Sequence, residues 1–266
     1  MTHISGRKRP PHLLPRQSPE ARRPPRTDGP APADGDRHGR GRFAPAPLRN
    51  RSYLDYRGYI RNHYDGLAGA LTGLTGLVTG HAALAGRLVC RSGFDVRGCK
   101  RILDAACGDG RYSKFLMRQA DPDAVLTSFD LSAVMLRRAR RRLGGDRVSH
   151  AVADLTRLPY PDGCFDAIVC GWVLEHLPDP RMGLRELARV LAPGGKLLLM
   201  TTEDTFSGRL CCWLWKCQSY NRRMLRQAID ECGLRWRREL WFSGLHRRLR
   251  LGGIVVELGR EGAVHA

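Results

Sequence analysis

The chain has 266 residues, of which 42% are hydrophobic and 27% charged, and a formal net charge of +19. That length suits one large α/β domain with its own core plus added segments, and it excludes a small disulfide-stapled scaffold. The charge permits a nucleic-acid or anionic-lipid partner without requiring one; five lysines stand against forty arginines, spread along the whole chain, a pattern that reads as coding bias on solvated faces rather than as a nucleic-acid footprint.

Residues 1–50 hold ten of the sixteen prolines and eleven Lys/Arg against four Asp/Glu. With so few apolar groups they cannot offset their ordering entropy, so a disordered basic tail is expected. Residues 51–98 form an N-terminal helical lid segment by pattern. "SYLDYRGYIRNHYDGL" offers Ser52 as N-cap and Leu54, Tyr56, Tyr59, Ile60 and Tyr64 as apolar or aromatic points. In "LAGALTGLTGLVTGHAAL" a leucine/valine stripe, a glycine stripe and a threonine stripe interleave at helical spacing. Four interior glycines would cost a helix about 3–4 kcal/mol against alanine. The run is nearly bilayer-long, but its Gly and Thr argue for a lid helix, or two short helices broken at a glycine, over a membrane span.

From residue 99 strands alternate with helices to about residue 262. The strands expected are Arg101–Ala105, Ala124–Phe129, Val148–Ala153, Phe165–Cys170, Lys196–Met200, Leu234–Trp241 and Ile254–Leu258. Between them the pattern predicts helices over Arg111–Gln119, Ala133–Leu143, Arg181–Leu191 (closed by "APGG") and Ser219–Cys232, the last capped by Ser219 and ended by Gly233. The fold class is therefore α/β, a Rossmann-like, doubly wound, mostly parallel seven-stranded sheet with helices on both faces. "FSGRLCCWLWKCQ", residues 206–218, is an insertion after the fifth strand, made apolar by Trp213, Leu214 and Trp215.

Nine cysteines are present, with no CxxC pair, and the chain opens on polar and basic residues without an apolar leader. These features predict free, mostly buried thiols, no metal site and a cytoplasmic setting.

In a doubly wound sheet, ligands lie beyond the carboxyl ends of the strands. Asp104 and the turn Gly108-Asp109-Gly110 follow the first strand, Asp130 the second, Asp154 the third, Gly171 and Trp172 the fourth. Asp130 stands twenty residues beyond Gly110, a spacing that suits a carboxylate gripping a ribose diol. A dinucleotide fingerprint would place a third glycine where Ser113 stands, and a phosphate-binding loop would want Lys-Ser/Thr where Arg111-Tyr112 stand. On its own, Asp130 is equally readable as the N-cap of the next helix, with Ser132 competing for that place.

The ordered set "ILDAACGDG", "SFDLSAVML", "VADLTRLPYPDGCFDAIVCGWVLEHLPDP", "LRELARVLAPGGKLLLMT" and "SYNRRMLRQAIDECGLR" resembles the class I S-adenosylmethionine-dependent methyltransferases, and within them the menaquinone/ubiquinone C-methyltransferase branch. The likeness covers about 140 residues, and "NHYDGL" upstream is similar to that branch's lid. It implies S-adenosylmethionine as cofactor and S-adenosylhomocysteine as product. It implies that Asp104 holds the turn and the amino-acid end of the cofactor, and that Ala106, Gly108 and Gly110 let the backbone approach. Asp130 would take both ribose hydroxyls, Leu131 would pack under the adenine, and Asp154 with the Leu155 N–H would read the adenine edge. Trp172 would stand where the methionyl end meets the acceptor.

Tyr56, Tyr64 and Trp172 are candidates for a cation–π contact with the sulfonium. His176 and Glu175, just beyond the fourth strand, are the nearest groups for proton removal from an acceptor; each is also readable as part of an ordinary connection. His63 and His81 are weaker candidates. The apolar insertion favours a small aromatic or lipid-like acceptor and contact with a membrane surface. Two alternatives are kept: a methyltransferase of RNA or another macromolecule, suggested by charge, and a catalytically inactive cofactor-binding interaction module. Cys211, Cys212 and Cys217 raise a thiol–metalloid acceptor, against buried inert thiols. The arginines of 137–142 are expected on a solvated face roughly 8–15 Å from the cofactor mouth, because their helix runs away from it.

Overall fold

The computed structural model describes residues 53–66, 86, 93–144, 147–215 and 217–260, with no account of the side chains of 53–56, 63 and 214. The tail, the glycine-rich run and His81 lie outside the described residues, as do the side chains of Tyr56, His63 and Leu214. The described residues all belong to one compact unit.

Helix α1 spans Tyr53–Asp65. The domain then runs β1 (Arg101–Ala105), α2 (Arg111–Gln119), β2 (Val125–Asp130), α3 (Ala133–Leu143), β3 (Val148–Val152), β4 (Phe165–Gly171), a 3-10 turn (Leu174–His176), α4 (Pro180–Val190) and β5 (Leu191–Thr201). It closes with α5 (Phe206–Trp215), α6 (Arg222–Glu231), β6 (Leu234–Glu239), α7 (Gly244–Leu249) and β7 (Ile254–Arg260).

The strands make one seven-stranded sheet in the order β3-β2-β1-β4-β5-β7-β6. β1 to β5 pair in parallel, and β7 inserts antiparallel to both neighbours. Side chains alternate between two cores, as strand geometry requires. Leu103, Ile168, Cys170, Leu197 and Leu199 face one layer, and Ile102, Ala167, Val169, Leu198 and Met200 the other. Each is buried, so the strands read as continuous apolar runs, the signature of a parallel sheet covered on both sides. The topology reverses at β1/β4, and the loops after β1, β2 and β4 open at that switch point.

Three local expectations need correction. "APGG" does not end a helix; it is a loop-out within β5. The pairing skips from Phe165–Leu191 to Ala167–Lys196, and Gly194, at φ 76°, makes the turn. The helix expected from Ser219 begins at Arg222 under an Asn221 cap, whose side chain accepts from Arg223 N. Ser219 cannot cap, because Tyr220 is held extended by donating its N–H to Thr202 O at 2.9 Å. Short helix α7, under a Ser243 cap, had no sequence signal strong enough to separate it from the loop before β7.

Candidate active site

Beyond the switch point lies a single continuous cavity of about 850 Å³. Its floor is built by the loop after β1. That loop needs three left-handed residues in five: Ala106 at φ 54°, Gly108 at 54° and Gly110 at 80°. Gly110 must be glycine for packing as well, since a Cβ would press on Ala139 of α3 at 3.0 Å. Ala106 carries a modest steric cost that glycine would avoid.

Asp104 does not line the cavity. It is buried at the end of β1, and Ser113 Oγ donates to its Oδ2 at 2.5 Å. The serine that breaks the dinucleotide pattern is thus the partner of the early acid, and together they pin β1 to the first turn of α2. Asp104 thus supports the loop from beneath.

Asp130 lines the cavity, and its carboxylate receives Gly108 N–H on one oxygen and Ser132 N–H on the other, each at 2.8 Å. Ser132, not Asp130, caps α3, accepting from Met135 N. Asp130 therefore ties two loops together and keeps lone pairs for a ligand. Leu131 and Leu155 line the same wall. Asp154 also lines it; Thr156 N–H and Oγ donate to Oδ1 at 3.0 and 2.8 Å, and Arg57 of α1 approaches Oδ2 at 3.4 Å.

Trp172 sits at φ 59°, unusual for a bulky side chain and strained by the order of 1–3 kcal/mol. Three contacts hold it there. Its N–H donates to Met200 O at 2.8 Å, its Nε1 donates to Tyr112 OH at 3.1 Å, and Gly253, lacking a Cβ, leaves room for the indole at 3.1 Å.

The 3-10 turn after β4 presents Glu175 and His176, both buried and both lining the cavity. Thr201 and Thr202 hydroxyls donate to the two oxygens of Glu175 at 2.9 and 3.1 Å. His176 Nε2 lies 2.8 Å from Tyr64 OH, the rings meeting edge to face. Burial pushes the Tyr64 phenol well above its ordinary range. Asp65, the next residue, accepts from Ser132 Oγ. α1 thereby touches three candidate site elements at once, through Arg57, Tyr64 and Asp65.

Residues 206–218 divide between two faces. Ser207, Gly208, Cys211 and Trp215 of α5 line the cavity with Cys217, whereas Phe206, Leu210 and Trp213 point outward. Cys212 and Cys217 are buried with sulfurs 3.4 Å apart, and among the described residues no group of three or more His, Cys, Asp or Glu is placed to hold a metal ion. The arginine run lies on a solvated face, with Arg137, Arg140, Arg141 and Arg142 exposed, but the expected distance from the mouth fails for Arg142. α3 crosses beneath the glycine turn, and Arg142 donates to Asp109 through Nε to its carbonyl at 2.9 Å and Nη2 to its carboxylate at 2.7 Å.

Sequence reasoning missed Arg57, Tyr112, Thr201, Thr202 and Gly253. The two threonines were accessible to the rule already used, since Thr201 ends β5 and Thr202 follows it. The others come from helices or from the turn before the antiparallel strand β7, where no strand-end rule points.

Burial raises three carboxyls around the site, Asp104 and Glu175 to about 7 and Asp130 to about 6. Each keeps its proton to higher pH folded than unfolded, where it titrates near 4. Between pH 4 and 7 the folded chain binds more protons, so their combined contribution to stability falls as pH rises. His150, pushed down by burial, works in the opposite sense below its unfolded pKa. The net expectation for the ligand-free protein is greater stability at pH 5.5 than at pH 7.5, read as a higher midpoint by scanning fluorimetry. A higher midpoint at pH 7.5 would show that these acids titrate normally.

The methyltransferase domain family matches residues 103–199, from within β1 to within β5. Folds of the same plan include a magnesium protoporphyrin IX methyltransferase from Synechocystis with bound S-adenosylhomocysteine, at TM-score 0.61 and 17% identity over 78% of this chain and 100% of that one. Residues 103–199 therefore carry a methyltransferase domain. The chain is similar to a demethylmenaquinone methyltransferase from Clavibacter sepedonicus, 45% identical over 101 residues, which are 38% of this chain and 40% of that protein. A ubiquinone/menaquinone biosynthesis C-methyltransferase from Desulfotalea psychrophila is 35% identical over 105 residues, 40% of this chain and 42% of its own length. The chain thus spans about two fifths of these curated relatives.

Proposed function

We propose that this protein transfers the methyl group of S-adenosylmethionine to a small, apolar, lipid-like acceptor, with a phenolic or quinol ring as the leading candidate. The observation that carries the reading is the continuity of the cavity. It begins at the glycine turn, Asp130 and Asp154, passes Trp172 and His176, and ends on Cys211, Trp215 and Leu251. At about 850 Å³ it has room for a nucleoside cofactor and part of an acceptor.

The residues present fit the cofactor. Asp130 offers lone pairs for two hydroxyls after serving its two amides, and Asp154 and the Leu155 N–H offer an acceptor and a donor for an adenine edge over Leu131. The loop from Ala106 to Gly110 brings backbone close to the methionyl end. When bound, S-adenosylmethionine supplies an electrophilic methyl on a sulfonium. The protein's part is to align donor and acceptor and to exclude water; Trp172 and Tyr64 bring aromatic rings to that region.

A phenolic or carbon acid must lose a proton as it is methylated, and His176 is the group that can take it. Tyr64 fixes the imidazole through Nε2, and Glu175, with both oxygens engaged by threonines, anchors the turn that carries it. The names of the curated relatives add support for a quinol acceptor, and the apolar far wall suits one.

The test is transfer of labelled methyl from S-adenosylmethionine to a panel of prenylated naphthoquinols, simple phenols and RNA. Label is expected in the quinol or phenol products. Label in RNA alone would promote the macromolecular alternative, and cofactor binding without transfer to any acceptor would promote the inactive module. Tyr64→Phe is expected to lower turnover about tenfold while leaving cofactor affinity within threefold; unaltered turnover would remove Tyr64 from the reaction.

A further inference from the structure

Apolar exposure on this protein is concentrated. Among the described residues, seven large hydrophobic side chains are exposed, and six of them belong to two short stretches: Phe206, Leu210 and Trp213 on α5, and Leu245, Leu249 and Leu251 on and after α7. At about 100° per residue, Phe206, Leu210 and Trp213 fall within an arc of about 60°. Ser207, Gly208, Cys211 and Trp215 occupy the opposite side and line the cavity. α7 is arranged likewise: His246 faces the cavity, while Leu245 and Leu249, one turn apart, face solvent.

Charge follows the same division. No Asp or Glu occurs from Thr205 to Ile229, nor from Leu240 to Val256. Arg209 lies beside the α5 stripe, and Arg247, Arg248 and Arg250 flank the α7 leucines, all four exposed. Arg209 and Arg250 are ion-paired, with Asp204 at 2.6 Å and Glu203 at 2.5 Å, whereas Arg247 and Arg248 stand exposed beside the α7 leucines; an outward apolar stripe with such arginines at its edge is the chemistry of a helix that rests in a lipid headgroup layer.

We propose that the outward faces of α5 and α7 dock the protein on an anionic bilayer. Their inward faces then admit the acceptor to the cavity from the membrane side, a second step that rests on the lipid-like acceptor proposed above. Docking can be tested without any acceptor.

The experiment is co-sedimentation of the full chain with vesicles of phosphatidylcholine alone and of phosphatidylcholine with 30 mol% phosphatidylglycerol (roughly the anionic fraction needed for a surface potential of the size that attracts arginine). The wild type is expected to bind the anionic vesicles more tightly than the neutral ones. The triple variant Leu210→Glu, Trp213→Glu, Leu249→Glu is expected to bind them at least about tenfold more weakly, with S-adenosylmethionine affinity within about twofold as the check on folding. A second variant, Arg247→Glu with Arg248→Glu, is expected to lose the preference for anionic lipid.

Undiminished binding by the triple variant would overturn the proposal, since another part of the chain, such as the arginine-rich residues 1–50, would then be the anchor. So would no binding by the wild type. Self-association that the triple variant abolishes, with no vesicle binding, would assign the face to a second copy of the chain instead. Absence of cofactor binding by the wild type would count against the methyltransferase reading and leave the vesicle result standing.

Discussion

Asp130→Ala is expected to weaken S-adenosylmethionine binding about 10²–10³-fold, as measured by titration calorimetry. Two hydroxyls donating to one carboxylate are each worth about 1.5–3 kcal/mol, and alanine removes both. The same change strips the acceptor from Gly108 N–H and Ser132 N–H, so the two loops that shape the floor lose their common tie. Asp130→Asn separates these effects. An amide still offers one acceptor oxygen to one loop, but it turns an NH₂ toward the other, and an intermediate loss is expected. Both variants should keep a cooperative thermal transition, because Ser132 still caps α3. An affinity unchanged in Asp130→Ala would falsify the ribose assignment.

Gly208→Ala is expected to act on the other end of the cavity, lowering acceptor turnover at least about 100-fold while leaving cofactor affinity within about threefold. Gly208 is buried in the first turn of α5, where its N–H donates to Thr205 Oγ at 3.2 Å. A Cβ there would overlap the carbonyl oxygen of Glu203 and stand 3.1 Å from its carbonyl carbon. Backbone cannot yield as a flexible side chain would. Glu203 is also held from below, by Arg222 at 2.7 Å and Arg250 at 2.5 Å. The helix must therefore move, and Cys211 and Trp215 move with it. Displacement of this kind by about 1 Å is enough to cost two orders of magnitude in a reaction that depends on alignment. Single-turnover transfer, run beside cofactor titration, separates the two ends. Equal losses of turnover and cofactor affinity would show that α5 also shapes the cofactor site.

The half of the cavity proposed for the cofactor was legible because each of its parts is local. Asp130 and Asp154 are read from their places after strands, and the glycine turn from its spacing. The acceptor half was legible only as composition. "FSGRLCCWLWKCQ" announces an apolar insertion, but nothing in the string says that it is a helix, or that Trp215 turns inward and Trp213 outward. The lid was named without its contacts. Tyr64 and His176 are 112 positions apart, and no periodicity relates them. Arg142, in the arginine run, shows the converse error. Its helix does leave the mouth after β2, yet α3 crosses back under the loop after β1, so Arg142 reaches Asp109.

By itself, the sequence determined the seven-stranded doubly wound plan, the order of its strands along the chain and the set of strand-end residues that line the proposed cofactor site. These follow from short-range rules: alternation sets strands, apolar spacing sets helices, and a parallel sheet collects its loops at one end. The tertiary structure alone decided that Ser113 completes Asp104, that Thr201 and Thr202 hold Glu175, that α1 reaches Asp154, His176 and Ser132, and which side of α5 meets the cavity. Each of those depends on the angle at which distant elements pack, and packing angles are set by the whole core at once.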